Sequence, residues 1–347
     1  MKRKIYYLLV FVPASMVIYY FTRLNTLIFI FSALSIIPLA VIMTSLTRDL
    51  ANILGNSRGG LLNVTFGNGT ELIIAFFAIN KGLLNVVKAE ITGSILMNLL
   101  LIPGLSFFAG GIKYRSQSFD KLLAITNSAM LMLAAIGMLV PAIFYFASSN
   151  IRSVILGRLS LAVGFILLII YFASLYFTMV IHEKEIGESI TRSINENNIY
   201  KKIGGLLLIT VLISLEAKFL VETIEGISEF LQVSPDFIGI IVLPLIANVA
   251  ENYTAIKMAR DNNIDMSINI AIGSSVQVAL FLVPILIFMS HLLKQPMNVL
   301  FNILEVSSIF MAVLAINVVY LQGKSNWLEG LQLCAIYLII AVAFFFA

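Results

Sequence analysis

The sequence predicts an all-α polytopic membrane protein of eleven transmembrane helices, one N-terminal helix followed by two inverted five-helix repeats. Three observations predict it. First, 60% of the 347 residues are hydrophobic and only 12% are charged, with a mean hydropathy of +1.01. That leaves too little polar surface to cover a water-soluble domain of this size. Second, the apolar residues fall into stretches long enough to span a bilayer, which takes about 20 residues of helix. Third, the chain repeats itself at a fixed offset of 180 residues, from Glu71 to Glu251.

The spans are expected at 5–21, 26–46, 60–80, 84–111, 119–147, 154–181, 204–231, 236–259, 265–291, 298–320 and 327–346. They are too long and too uniformly apolar for the alternating strands of a membrane β-barrel. The first follows Met1-Lys2-Arg3-Lys4, but no small-x-small cleavage site precedes Phe21-Thr22-Arg23, so it reads as a membrane helix and not a signal peptide. The organisation that follows is an N-terminal helix at 1–25, a first repeat at 26–181, a charged linker at 182–202 and a second repeat at 203–347. An odd number of helices per repeat makes the copies enter the bilayer from opposite sides, which gives two equivalent packings of the halves. With the N-terminus in the cytoplasm, most lysines and arginines fall inside, from Lys2, Arg3 and Lys4 to Lys201, Lys202, Arg260 and Lys324, and only Arg23, Lys81, Arg152 and Lys294 fall outside. The C-terminus then faces the opposite side. The net charge of +4 is accordingly a topology signature and not a nucleic-acid one. Cys334, the single cysteine, can form no internal disulfide.

The repeat carries the chemistry. Asn68-Gly69-Thr70-Glu71 matches Asn248-Val249-Ala250-Glu251, and the same offset lays Ala75 on Ala255, Gly93-Ser94 on Gly273-Ser274, Leu100 on Leu280 and Phe108 on Phe288. An amide and a carboxylate at i and i+3 share one helix face. An ionisable acid in mid-membrane costs roughly 2.5–3.5 kcal/mol, so a duplicated pair implies a role. Gly67, Gly69 and the asparagines permit local unwinding beside the acids, and non-helical backbone at that depth is tolerated where it lines a cavity.

Carboxylates, amide oxygens and freed carbonyls are the hard ligands that Ca²⁺ gathers. Zinc or copper would want His or Cys, and the two histidines, His182 and His291, lie outside the repeats' cores. The candidate ligands are Glu71, Glu251, Asn68, Asn248, Gln277, Asn98, Ser94, Ser274, Ser275 and Thr70, with Glu71 and Glu251 also binding protons. The run Gly55-Asn56-Ser57-Arg58-Gly59 matches a nucleophile-elbow pattern, but it follows no strand and has no histidine placed to activate the serine. On the seventh span, Lys218, Glu222, Glu225 and Glu229 are spaced by 4, 3 and 4 residues and are expected on one helical face.

These residues resemble the cation/proton exchanger family of the calcium/cation antiporter superfamily. The resemblance runs from about Thr44 to the C-terminus, through Gly59–Ile73, Val86-Val87-Lys88, Gly93–Leu101, Gly110-Gly111, Leu243-Pro244, Asn248, Ala250-Glu251, Gly273-Ser274-Ser275, Gln277 and Asn326–Gly330. It implies an eleven-helix antiporter in which Glu71 and Glu251 alternately carry Ca²⁺ and protons, with Ca²⁺ as transported substrate and no cofactor. The chain departs from the family at Ala247 and Asn252, where a glycine and a histidine are usual. It departs again at Arg48 and Lys218, where a glutamate is common, and these two are assigned to gating with Glu222 and Glu225. Sodium/calcium exchangers resemble it less, since no proline precedes Glu71 or Glu251 and the downstream Asn98 and Val278 are uncharged.

The expected mechanism places Ca²⁺ between the third and eighth spans, bridged by Glu71 and Glu251, while the second and seventh helices slide to open alternate sides. Desolvation and mutual repulsion penalise two bare carboxylates, so an empty site takes up protons. Two alternatives stand beside Ca²⁺/H⁺ exchange: exchange of Na⁺ or another divalent ion, and a membrane enzyme using the paired acids in general acid–base catalysis.

Overall fold

The computed structural model of the chain describes residues 5–22, 24–147, 153–181 and 196–347. These residues are overwhelmingly helical. The elements are α1 (Tyr6–Phe21), α2 (Asn25–Gly67), α3 (Gly69–Asn80), α4 (Leu84–Tyr114), β1 (Ser116–Ser118), α5 (Lys121–Ala147), α6 (Ser153–Ile181), α7 (Glu196–Glu222) and α8 (Ile224–Leu231). They continue with α9 (Pro235–Ala247), α10 (Val249–Arg260), α11 (Ile264–Leu292), α12 (Ile303–Gln322), β2 (Lys324–Asn326) and α13 (Trp327–Phe346).

Eight of the described helices are long and apolar enough to cross a membrane, or nine if Ile224–Leu231 and Pro235–Ala247 form one broken span. The stretches expected at 5–21, 60–80 and 236–259 are present as shorter or interrupted helices. Their interruptions have local causes. α2 bends at Gly55, whose φ of 79° an L side chain rarely adopts. This is the role of the first glycine in the elbow-like run, whose later residues continue as helix. The helix then stops at Gly67, one residue before Asn68, just as its counterpart stops at Ala247, one residue before Asn248. The seventh stretch, expected as one helix over 204–231, is broken at Thr223, whose hydroxyl turns back to the carbonyls of Phe219 and Leu220 at 2.9 and 3.0 Å. Such back-bonding competes with the helical ladder. Glu225 and Glu229 therefore lie on α8, a different helix from Lys218 and Glu222, and the four do not form one continuous stripe.

Of the linker expected at 182–202, residues 182–195 lie outside the described ones, and 196–202 are the first turns of α7. Helix continues there because Ile199 packs against apolar side chains and Lys202 pairs with Asp49 on α2 at 2.9 Å.

The chain divides into two compact units. One comprises residues 1–81, 169–232 and 246–250. Its core joins Val12 of α1, Leu39, Met43 and Leu50 of α2, and Leu206, Ile209 and Ile213 of α7. The other comprises 82–168, 233–245 and 251–347. There α4 and α13 approach so closely that a Cβ on Gly104 would lie 2.9 Å from the Gly330 carbonyl oxygen, and one on Gly330 would lie 2.6 Å from that of Gly104. Small residues that let helix backbones touch are a usual source of packing energy in lipid. β1 and β2 pair antiparallel, with Gln117 opposite Ser325. From that strand pair the buried Gln117 amide donates to the Ala259 carbonyl and to Asn262 Oδ1, both at 2.9 Å, which closes the end of α10. α12 and α13 each start in a capping box, Asn302 with Glu305 and Asn326 with Glu329. Each unit thus draws on both halves of the sequence.

Candidate functional site

Both acidic signatures sit where a helix stops for a single residue and restarts. Asn68 separates α2 from α3, and Asn248 separates α9 from α10, so that Glu71 and Glu251 are each the third residue of a new helix. The first-turn N–H groups of a helix are unsatisfied within it, and the axial dipole favours negative charge there. Fragments such as Gly67-Asn68-Gly69 make the break possible; the break in turn points the amide dipoles toward the carboxylate.

In the first unit, Glu71 is 1% exposed, and Asn68 and Thr70 beside it are buried. Asn248, brought in from the second signature, donates its side-chain N–H to Glu71 Oε1 at 2.7 Å. A hydrogen bond to a carboxylate is shorter and stronger than a neutral one. The Thr70 hydroxyl faces the Met43 sulfur of α2 at 3.9 Å, and Gly69 is crowded by the same methionine's terminal methyl.

In the second unit, Glu251 is only partly buried and the adjacent Asn252 donates to the Met97 sulfur at 3.5 Å. Asn98 is buried and donates to Ser274 Oγ at 3.0 Å, joining α4 to α11. Ser94 is buried close by in sequence, and Gln277 is half-buried. Ser275 donates to the Ala271 carbonyl of its own helix at 3.2 Å. At these residues both helices widen to a π turn, at Met97–Leu101 in α4, which contains Asn98, and at Val278–Leu282 in α11, which follows Gln277. Such turns recur at functional sites, because the extra residue leaves a carbonyl without its usual partner. A third π turn, Ile238–Val242, lies in α9, where the Ile240 carbonyl rests against Gly93.

Of the residues assigned to gating, Arg48 is exposed on α2. Lys218 Nζ lies 3.9 Å from Glu222 Oε1, one helical turn away on α7. Glu222 also takes the Tyr19 hydroxyl at 2.5 Å. Glu225 on α8 pairs with Lys81 at 3.2 Å, and the same ammonium donates to the Glu222 carbonyl. Lys81 and Tyr19 were not among the sequence candidates, for Tyr19 precedes the first repeat and Lys81 lies beyond its acidic signature. Two buried acids were missed as well. Glu90 lies inside α4, and Glu216 inside α7, both legible only as ionisable residues at membrane depth. Glu305 and Glu329, also buried, carry the recognisable Asn-x-x-Glu signature of a capped helix start. Among the described residues, no three His, Cys, Asp or Glu side chains cluster as a preformed metal centre.

The profile of the family described as "Sodium/calcium exchanger protein" matches residues 24–180 and 201–346. A Ca(2+)/H(+) antiporter of Synechocystis sp. is 38% identical, with 99% of this chain and 98% of that protein aligned. Among solved structures, native YfkE superposes with a TM-score of 0.86 at 33% identity, covering 99% of this chain and all of that one. The H+/Ca2+ exchanger CAX superposes at 0.74 with 13% identity over 99% and 92% of the two chains, a likeness of fold. With profile and relative both spanning nearly its whole length, the chain belongs to the sodium/calcium exchanger family, within its cation/proton exchanger branch.

Proposed function

We propose that the protein is a secondary antiporter that exchanges Ca²⁺ for protons, with Glu71 and Glu251 used in turn by both ions. The observation that carries this reading is the Asn248–Glu71 hydrogen bond: a carboxylate removed from water at a helix restart, met by the amide of the other repeat. A bare carboxylate in that position is costly, whereas either a proton or Ca²⁺ removes the penalty. Two carboxylates are neutralised by one Ca²⁺ or by two protons, so the cycle passes between two neutralised forms. Asn68, Asn248, Thr70, Ser94, Ser274, Asn98 and Gln277 supply further oxygens, of the kind that Ca²⁺ takes six to eight at a time. The names of the relatives, Ca(2+)/H(+) antiporter and H+/Ca2+ exchanger, support the choice of ions.

In this reading the chain crosses the membrane eleven times, α1 preceding two inverted repeats of five, with the N-terminus cytoplasmic and the C-terminus opposite. The shared helix break and π turn of the two copies support the repeat, and the lysine and arginine distribution supports the orientation. Arg48, Lys218, Glu222 and Glu225 act as gating residues on the helices that move. Two states differing in ion affinity suffice for exchange.

The test is Ca²⁺ flux in proteoliposomes under an imposed pH gradient. Uptake that follows the proton gradient and collapses with an uncoupler supports the proposal. Uptake that ignores the proton gradient and follows a Na⁺ gradient establishes sodium/calcium exchange in its place.

A further inference from the structure

The first unit contains an acid that the ion-exchange reading leaves unused. Glu216, in the middle of α7, is 0% exposed. Its Oε1 lies 2.6 Å from the Ser15 hydroxyl oxygen on α1, and that oxygen lies 2.8 Å from the Val12 carbonyl oxygen. A serine hydroxyl has one hydrogen. If Glu216 were a carboxylate, Ser15 could satisfy only one of its two acceptors, and the other pair of oxygens would meet lone pair to lone pair. If Glu216 is an acid, its O–H donates to Ser15 and Ser15 donates to Val12, and each short contact holds a hydrogen. The second carboxyl oxygen is buried, and among the described residues the one further donor beside the carboxyl group is the Ser32 hydroxyl of α2. A buried anion would call for more donors than this.

No cation compensates it. Among the described residues no lysine or arginine lies within salt-bridge distance of Glu216. The charged and titratable groups on the elements packed around α7 are committed elsewhere: Tyr19 of α1 to Glu222, Asp49 of α2 to Lys202, Glu71 of α3 to Asn248, and Glu225 of α8 to Lys81. On α7 itself Lys218 lies beside Glu222. Arg48 of α2 and Glu229 of α8 are exposed.

We infer that Glu216 is a second proton-binding site of this transporter, distinct from the glutamates that carry Ca²⁺, and that its proton closes the seam between α1 and α7. Access is short. Glu222 lies six residues along the same helix, about 9 Å by the helical rise, and is exposed with Tyr19 of α1 bonded to it. The device gives the N-terminal helix, which stands outside the repeat, a part in proton handling. The inference deepens the proton-exchange reading and rests on it for its function, but the protonation state itself is measurable without transport.

The experiment is infrared difference spectroscopy on the full-length protein at neutral pH, wild type against Glu216→Gln, scored at the C=O stretch of a protonated carboxylic acid. Loss of such a band in the variant is expected, and loss of a carboxylate band in its place overturns the inference. Ser15→Ala keeps the test open if Glu216→Gln does not fold. Removing the acceptor of the acid's O–H shifts the Glu216 band, and an unshifted band overturns the assignment. In proteoliposomes, the pH dependence of Ca²⁺ uptake by Glu216→Gln loses one ionisation; a profile superimposable on wild type shows the group to be merely structural. If Glu71→Gln still transports, the Ca²⁺/H⁺ reading fails while the infrared result for Glu216 stands.

Discussion

Glu71 and Glu251 each occupy the third position of a helix that restarts after a one-residue break, yet the two residues are not buried alike. Glu71 is 1% exposed and holds the amide of Asn248, whereas Glu251 keeps part of its surface open. The glycines that follow differ in the same direction. A Cβ on Gly93 would collide with the Ile240 carbonyl, while Gly273, its match after the second signature, has open space around it. The same backbone device thus stands at both signatures, and the packing around each gives it a different environment. In the proposed exchange cycle such asymmetry is expected of any single state, with the two signatures exchanging environments as access alternates.

The largest expected effect breaks the pair itself. Glu71→Gln and Glu251→Gln each keep the side-chain shape and remove the charge, and each should reduce proton-driven Ca²⁺ flux to the background of empty vesicles while insertion and elution profile stay normal. Flux near the wild-type rate in either variant would end the idea that both acids carry the ion.

Gly93→Ala against Gly273→Ala sharpens the contrast in packing. The first forces a methyl group into backbone, a kind of overpacking that costs about 1–3 kcal/mol and sometimes more. The second meets nothing. Thermal unfolding in detergent should show a clear loss for Gly93→Ala and almost none for Gly273→Ala, and equal losses would mean that the two sites are packed alike.

A third pair separates holding from binding. Asn98 spends its amide on Ser274, so Asn98→Ala should cost about 1 kcal/mol of stability, with a modest change in Ca²⁺ affinity. Gln277, half-buried on the other copy, should show the reverse, a weaker apparent Ca²⁺ affinity at unchanged melting temperature. Equal and negligible effects on affinity would demote both to packing residues.

The smallest effect is expected at Lys218. An exposed pair at 3.9 Å contributes about 0–1 kcal/mol. Lys218→Gln should leave stability alone and modestly strengthen external Ca²⁺ competition with proton uptake, since Glu222 loses a neighbouring positive charge. Unchanged half-saturation here and in Glu222→Gln would leave the pair as solvated surface.

Much was legible before any coordinates. Composition and the length of apolar runs dictate membrane helices, because a bilayer leaves backbone N–H and C=O groups no partner but each other. The family, and with it a transporter and not an enzyme, was readable from motifs around Glu71 and Glu251. Spans such as 84–111 and 265–291 agree with α4 and α11 to within a few residues. The breaks were legible in kind, from Gly67, Gly69 and the asparagines, since these residues cost a helix stability wherever they stand.

What only tertiary structure decided is which side chains meet. Asn248 reaches Glu71 across 177 residues of sequence, and Ser15 reaches Glu216 across 201. No local propensity encodes such a pairing. Nor could hydropathy show that α7 stops at Thr223, because a hydroxyl facing lipid and one bonding back to its own helix look the same in a sequence. Apolar character sets where a helix lies, whereas the environment of each buried acid depends on neighbours supplied from elsewhere in the chain.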